Sequence, residues 1–214
     1  VKFGIPLMFY AEHGESEYGG RVLSEESMKM RDFAEVLEHQ IGDDPSNWVD
    51  DEVTASDLNP YTYPDVDAVD QKGVKALYFA YFFRWSMFEN YRFISSKIDF
   101  QTHPKGRTEG TFTNFDSLDD KTDDLYYYMQ YVKFGFGRAV RDACRMIQNG
   151  QLTREEGLRL AREFDGEFPY QHHEDLLEYL DLTTEEMIET IDQHRNSEIW
   201  AREDNEWNLR HPPE

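Results

Sequence analysis

The stretch Val74-Lys75-Ala76-Leu77-Tyr78-Phe79-Ala80-Tyr81-Phe82 decides the fold class of this chain. Its almost unbroken apolarity predicts a strand that is covered on both faces of a sheet. A second strand is predicted at residues 5–11, a short apolar run that follows Gly4 and precedes an acidic, glycine-rich stretch. Together with the helical segments around them, the two strands indicate an α/β fold.

Several segments have the spacing of amphipathic helices. Ser24 can cap a helix that continues to about Gln40, and residues 87–98 predict a second helix. Between residues 125 and 147 apolar side chains recur every three or four positions, which predicts one long helix that Gly135 weakens in its middle. The second half of the chain is therefore expected to be mostly helical.

Two capping boxes announce further helices. Thr153 is followed three residues later by Glu156, and Thr183 by Glu186, so that side chain and backbone can satisfy each other at each helix start. The tail from Asn196 is expected to pack as irregular chain. We place a partial α/β region at residues 1–100, and a loop and helical region for substrate or interaction at residues 101–214.

Two strands cannot make a stable sheet alone, because each leaves edge groups and an apolar face uncovered. We therefore expect the rest of the sheet to come from upstream sequence or from a partner chain. The most apolar run ends at Arg84 and is far shorter than the roughly 20 residues that a membrane-spanning helix needs. No membrane span is expected.

Composition narrows the classes of function. The formal charge is −22, from 44 acidic and 22 basic residues, and it would repel a phosphate backbone, which argues against nucleic acid as a partner. The single cysteine, Cys144, excludes a disulfide framework and favours a reducing compartment, so we expect a cytoplasmic protein.

An acidic loop follows the first predicted strand and contains Glu12, Glu15 and Glu17. Ligands bind at the carboxyl ends of strands in open α/β sheets, and carboxylates there can hold Mg²⁺ on a nucleotide. The alternative is a solvated loop in a protein that is rich in acid.

A second group of candidates lies between residues 103 and 114, where cations, hydroxyls and glycines concentrate. Lys105 and Arg107 could neutralise an anionic ligand, and Thr111 and Asn114 could bind its polar groups. A plain surface loop is the alternative here.

Six charged groups then stand at residues 116–124, including Asp119, Asp120 and Lys121, more than helix capping requires. They could contact a cation or a polyhydroxylated sugar. Among the successive tyrosines after them, Tyr127 is a candidate to face a cavity, since not all can face a helix's core. His172-His173-Glu174 does not predict a metal site, because adjacent helical histidines diverge by about 100 degrees.

Five stretches in the same order resemble the C-terminal portion of the bacterial N-acetyl sugar amidotransferase family. They are Phe3-Gly4-Ile5-Pro6-Leu7-Met8-Phe9-Tyr10 through Glu17-Tyr18-Gly19, Glu109-Gly110-Thr111-Phe112-Thr113-Asn114 through Asp119-Asp120-Lys121, Tyr131-Val132-Lys133-Phe134-Gly135-Phe136-Gly137-Arg138-Ala139, Leu152-Thr153-Arg154-Glu155-Glu156-Gly157, and Asp165-Gly166-Glu167-Phe168-Pro169.

This resemblance implies an ATP-pyrophosphatase of the adenine-nucleotide α-hydrolase type, used for O-antigen or flagellar sugars. It implies ATP and Mg²⁺ as cofactors, and adenylation of an acetamido oxygen before ammonia gives the acetamidino sugar. It also implies a glutaminase subunit and a cyclase-like subunit as partners that deliver ammonia. The family's Ser-Gly-Gly-x-Asp-Ser phosphate loop is absent from this sequence, so we expect the chain to be inactive alone.

With the resemblance in view, Glu12, Glu15 and Glu17 are the candidates for the nucleotide or its Mg²⁺. The candidates for the sugar substrate are Lys105, Arg107, Thr111, Asn114, Asp119, Asp120, Lys121, Tyr127 and Arg138. Two alternatives stay open. One is another ATP-pyrophosphatase relative, such as a thiolation or asparagine-synthetase-like enzyme, and the other is a noncatalytic helical interaction module.

Overall fold

A computed structural model describes residues 1–11, 29–36 and 43–214 of the chain. The described residues form two compact units, Val1–Trp85 and Ser86–Glu214. The structural division therefore falls 15 residues before the boundary at residue 100 that we placed from the sequence. Within the described ranges, no helix has both the length and the apolarity that a membrane crossing requires.

The first unit contains a small parallel sheet. Strand β1 (Leu7–Tyr10) pairs with strand β2 (Lys75–Tyr78), so that Leu7 lies opposite Lys75 and Tyr10 opposite Tyr78. Both predicted strands are thus confirmed. The apolar side chains of β1 are about half exposed, from 42% at Met8 to 53% at Phe9.

The second strand is shorter than predicted. It ends at Tyr78, and the chain continues as helix α3 (Phe79–Phe82), although we expected strand up to Phe82. An unbroken apolar run has no two-residue alternation to mark where a strand stops, and the same composition suits one helical turn. The expectation of cover on both faces also fails, because Lys75 and Phe79 are exposed.

The other described helices of the first unit are short. Helix α1 spans Phe33–Val36 and helix α2 spans Val66–Gln71, with 3₁₀ turns at Pro45–Trp48 and Asn59–Tyr61. The helix predicted from Ser24 is observed only as α1, since Ser24 itself lies outside the described residues.

The second unit is mainly helical, as predicted. In chain order it contains α4 (Met87–Ser95), α5 (Asp123–Phe134), α6 (Arg138–Gln148), α7 (Arg154–Phe164), α8 (His173–Leu180), α9 (Thr184–Gln193), β3 (Trp200–Glu203) and β4 (Glu206–Leu209). Its buried core consists of Val132, Leu176, Met187 and Ile191, contributed by α5, α8 and α9.

The long helix predicted over residues 125–147 is wrong, because the chain folds there into two helices. Gly135 ends α5 in the left-handed conformation, with φ of 76°, and α6 begins three residues later. A Cβ atom at Gly135 would lie 2.8 Å from Ile199 Cγ2. Glycine thus serves both the left-handed turn and the close approach of the C-terminal segment.

Both capping boxes are confirmed. The Thr153 hydroxyl accepts from the Glu156 backbone N–H, and the Glu156 carboxylate accepts from the Thr153 backbone N–H at 2.8 Å. The same exchange joins Thr183 and Glu186 at the start of α9. These helix starts were predictable because all their partners lie within four residues.

The tail is a hairpin, which corrects the expected irregular chain. Strands β3 and β4 pair antiparallel around Asp204 and Asn205, both in left-handed conformation as a type I′ turn requires. Trp200 is 2% exposed, and its Nε1 donates to the Val132 carbonyl at 2.7 Å. The indole thereby fixes the hairpin to α5.

Candidate functional site

The polar loop predicted around residues 103–114 packs against the turn after α7. Arg107 forms two parallel bonds with Glu167, at 2.6 Å from Nη1 to Oε2 and 3.0 Å from Nη2 to Oε1. Glu167 Oε2 also accepts from the Gly110 backbone N–H at 2.9 Å. The hydrogen bonds that Arg107 donates to Glu167 raise the pKa of Arg107, so its guanidinium stays charged. One carboxylate therefore holds the loop at two points.

Helix α6 contributes two arginines to a charged group that we call the arginine–aspartate network: Asp116, Arg138, Arg141 and Asp142. Arg141 Nη2 lies 3.0 Å from Asp116 Oδ2 and 3.1 Å from Asp142 Oδ1. Arg138 Nη2 donates to the Asp116 carbonyl at 2.8 Å, and its Nε lies 3.8 Å from Asp142 Oδ2. Two cations thus face two carboxylates.

The network is largely removed from water. Arg138 is 2% exposed and Asp142 is 6% exposed. Burial alone would lower the pKa of Arg141, but Asp142, Tyr127 and Asp116 outweigh it and raise the pKa. Arg141 therefore remains charged, and its charge is neutralised by carboxylates inside the domain.

Tyr127 and Thr111 complete the network. Arg141 Nη1 donates to the Tyr127 hydroxyl at 2.7 Å, and the guanidinium carbons of Arg138 and Arg141 lie 4.9 and 4.5 Å from its ring centroid. Thr111 Oγ1 donates to Asp142 Oδ2 at 2.9 Å. Four predicted site residues, Arg107, Thr111, Tyr127 and Arg138, thus lie along one connected stretch of loop and helix.

Asp165 anchors the beginning of α6. Its carboxylate accepts from the backbone N–H groups of Gly137 at 2.7 Å and Ala139 at 3.1 Å. Burial raises the pKa of Asp165 above its ordinary value, although the backbone donors act in the opposite direction. A Cβ at Gly137 would lie 2.8 Å from Asp165 Oδ1, so this approach needs glycine.

The remaining predicted residues lie at the periphery of this loop. Lys105 and Asp119 are exposed, and the Asn114 carbonyl accepts from the His103 backbone N–H at 2.8 Å. Asp120 accepts from the Thr122 N–H and hydroxyl, each at 2.7 Å. Lys121 Nζ lies 2.6 Å from Asp175 Oδ1.

Glu12, Glu15 and Glu17 lie outside the described residues. The adjacent histidines turn to different partners: His172 Nδ1 lies 2.7 Å from Asp124 Oδ2, and His173 Nε2 lies 3.2 Å from Thr184 Oγ1.

Sequence reasoning placed Asp116 among the charged groups at residues 116–124 without singling it out as a site residue, and it missed Arg141, Asp142, Asp165 and Glu167. One signal was available, since Arg138 and Asp142 stand four residues apart on a helix. The cavity beside Asp116 and Asp142 measures only about 30 Å³, which is room for a water molecule. The network can therefore position the loop at residues 107–116, but this cavity is too small to hold a sugar.

Comparison with known protein families finds a match in the C-terminal part of the chain. Residues 109–211 match a family described as LPS biosynthesis protein WbpG-like, C-terminal domain. The match begins in the loop held by Glu167 and ends after β4, so it lies entirely within the second unit. No curated protein matches the chain.

Proposed function

Because residues 109–211 match the family described as LPS biosynthesis protein WbpG-like, C-terminal domain, we propose that this chain is part of an N-acetyl sugar amidotransferase. The family match places the chain in polysaccharide biosynthesis, and it is the observation that carries the proposal. The proposed reaction converts an acetamido sugar into an acetamidino sugar for an O-antigen or flagellar glycan.

The chemistry requires activation of the amide. An amide oxygen is a poor leaving group, so ammonia cannot displace it directly. ATP with Mg²⁺ would supply the activation, and a glutaminase subunit with a cyclase-like subunit would supply the ammonia. The candidates for the nucleotide, Glu12, Glu15 and Glu17, lie outside the described residues and outside the matched segment.

Within this enzyme we assign residues 107–116 to binding of the sugar substrate. The loop contains hydroxyls and Gly110, and its backbone is held by Glu167 at the Gly110 N–H and by Arg138 at the Asp116 carbonyl. A rigid loop loses little entropy when it binds a polyhydroxylated ligand. Lys105, exposed at the edge of this loop, is the predicted cation that is free to meet substrate in the described part of the chain, since no ion pair engages it there.

The full-length protein, supplied with its glutaminase and cyclase-like subunits, tests the reaction. We expect pyrophosphate release that requires both ATP and an acetamido sugar, and a product in which NH replaces the amide oxygen, measured by mass spectrometry. Pyrophosphate release with a different acceptor and with no acetamido sugar would contradict the proposal and favour another ATP-pyrophosphatase relative.

A Lys105→Ala variant tests the loop. We expect a KM for the sugar raised about tenfold, the effect of losing roughly 1.4 kcal/mol of binding. Lys133→Ala, which removes an exposed lysine from α5, is the control and should leave the KM unchanged. Equal KM values for both variants would remove Lys105 from the site.

A noncatalytic interaction module is the second candidate. The observation in its favour is that Arg107, Arg138 and Arg141 are neutralised by carboxylates of the same domain. Under this alternative the full-length protein would bind the glutaminase or cyclase-like subunit but would release no pyrophosphate with any acceptor. Sugar-dependent release would exclude it.

A further inference from the structure

An open cavity of about 440 Å³ lies in the second unit, away from the arginine–aspartate network. Its walls come from α5, the segment before α8, α9, and the β3–β4 hairpin. The residues that matter below are Tyr128, Tyr170, His173, Arg195, Arg202 and Trp207. Its volume falls in the range of small-molecule sites in proteins, about 300 to 1,000 Å³.

Arg195 is the central group of this cavity. Its side chain is only 7% exposed and lies between two indoles, with the guanidinium carbon 4.5 Å from the Trp200 ring and 5.4 Å from the Trp207 ring. Nε bonds Asp192 at 3.2 Å, and Nη2 donates to the Tyr128 hydroxyl at 3.2 Å. Nη1 is buried and has no hydrogen-bond partner in the described part of the chain.

Two further nitrogens of the cavity wall also lack a hydrogen-bond partner among the described residues. Trp207 Nε1 and His173 Nδ1 are buried without a hydrogen-bond partner from the residues at 1–11, 29–36 and 43–214. The indole N–H can only donate, and a guanidinium has no acceptor. Leaving such a buried donor unpaired is unfavourable, and a ligand that supplies acceptors would remove that cost.

The local charge is opposite to that of the whole chain. The cavity is lined by two arginines, Arg195 and Arg202, and by one carboxylate, Asp192, in a protein of net charge −22. Burial raises the pKa of Tyr128, so its hydroxyl stays neutral beside the guanidinium. The wall is therefore cationic and rich in donors.

Aromatic surfaces border the same donors. Tyr170 is largely exposed. The guanidinium carbon of Arg202 lies 5.2 Å from the centroid of the Trp207 ring. Faces of this kind pack against the flat side of a ring. The combination suits a ligand that has both a ring and an anionic group.

We infer that this cavity binds a small anionic ring compound, such as a sugar acid or a sugar phosphate, with its carboxylate or phosphate directed at Arg195 and its ring beside the aromatic side chains of the wall. The inference does not depend on the amidotransferase reaction, because it rests on the unpaired donors, the aromatic walls and the size of the cavity. It adds a binding site that lies apart from the loop at residues 107–116.

Calorimetric titration of the full chain tests the site with three probes of the same ring size: glucuronate, glucose 1-phosphate and neutral glucose. We expect at least one anionic probe to bind more than tenfold tighter than glucose. Binding of glucuronate alone would identify a carboxylate site, and binding of glucose 1-phosphate alone a phosphate site. Equal affinities for all three probes, or no binding of either anion, would overturn the inference.

Variants of the wall make the test specific. Arg202→Gln removes an exposed charge and Trp207→Phe removes the indole N–H while keeping an aromatic ring, so both should fold, which circular dichroism verifies. We expect each to weaken binding of the anionic probe about tenfold, and Arg195→Gln to abolish it. Arg159→Gln on α7 is the control, since its partner is Glu163, and should bind like the wild-type chain. Unchanged affinity in Arg202→Gln and Trp207→Phe would refute the site even if Arg195→Gln failed to fold.

Discussion

Arg107 and Glu167 form a bidentate ion pair across 60 residues of chain, with N···O distances of 2.6 and 3.0 Å. Because Glu167 also binds the Gly110 N–H, the pair connects the family-matched loop to the end of α7. Hydrogen bonds that involve ionised groups are stronger than neutral ones, and a bidentate pair makes two of them in parallel. The loop at residues 107–116 therefore depends on a contact that no local sequence pattern contains.

We expect Arg107→Ala to lower the free energy of unfolding of the second unit by about 1 to 3 kcal/mol, since Glu167 would lose its charged partner. Urea denaturation followed by circular dichroism measures the change. Arg92→Ala is the matched control, because Arg92 is exposed and its ion pair with the exposed Glu89 is long, at 3.4 Å. That control should cost less than about 0.5 kcal/mol. Equal losses in the two variants would contradict the role of the pair.

Replacing Arg138 is expected to destabilise the second unit more than replacing Arg107. Arg138→Met would leave the buried Asp142 and the Asp116 carbonyl short of a partner, and breaking a buried pair costs about 3 to 5 kcal/mol. Arg159→Met, at an exposed pair on α7, should cost about 0.5 kcal/mol or less. Thermal unfolding of both variants supplies the comparison, and a small loss at Arg138 would mean that Arg141 alone neutralises the network.

Gly166 lies so close to the Tyr131 ring that a residue with a side chain would not fit there. Its φ is 81°, and a Cβ atom built on it would overlap the ring of Tyr131. We expect Gly166→Ala to destabilise the fold by about 1 to 3 kcal/mol more than Gly150→Ala. Gly150 has a similar φ of 69° but open space around it, so the difference isolates the steric term. Chemical denaturation of both variants provides the measurement, and equal losses would show that only backbone strain matters.

The two capping boxes should make the stability of the second unit depend on pH. Hydrogen bonds from Thr153 and Thr183 hold the pKa values of Glu156 and Glu186 below their ordinary value of 4.5. A depressed folded pKa means that the contribution to stability is present above the unfolded value and is lost as the pH falls through the folded value.

The double variant Glu156→Gln/Glu186→Gln should therefore lose less stability than the wild-type chain when the pH falls from about 5 to about 3. Denaturation midpoints at several pH values measure this difference. Glu198→Gln, an exposed acid outside the boxes, should follow the wild-type curve. Parallel curves for all three proteins would exclude the capping carboxylates as the source.

The residues of the candidate site were predictable in part. Arg107, Thr111, Tyr127 and Arg138 were singled out by residue type, and the structure places them along one stretch of loop and helix. Glu167, the partner of Arg107, was not singled out, because it lies 60 residues further along the chain and no local pattern specifies the contact. The cavity around Arg195 was missed for the same reason, since its walls come from four separate elements.

Local interactions already contained in the sequence determined the helix starts at Thr153 and Thr183, the two strands and the mostly helical second half. The partners at each helix start lie within a few residues, so chain connectivity brings them together at little entropic cost; the strands were recognisable from their apolar runs, although β1 pairs with a strand far along the chain. Tertiary structure decided the break at Gly135, the β3–β4 hairpin on α5, and the pairing of Asp116 with Arg138 and Arg141. These depend on groups that meet only after the chain has closed loops of many residues, so no short sequence pattern specifies them.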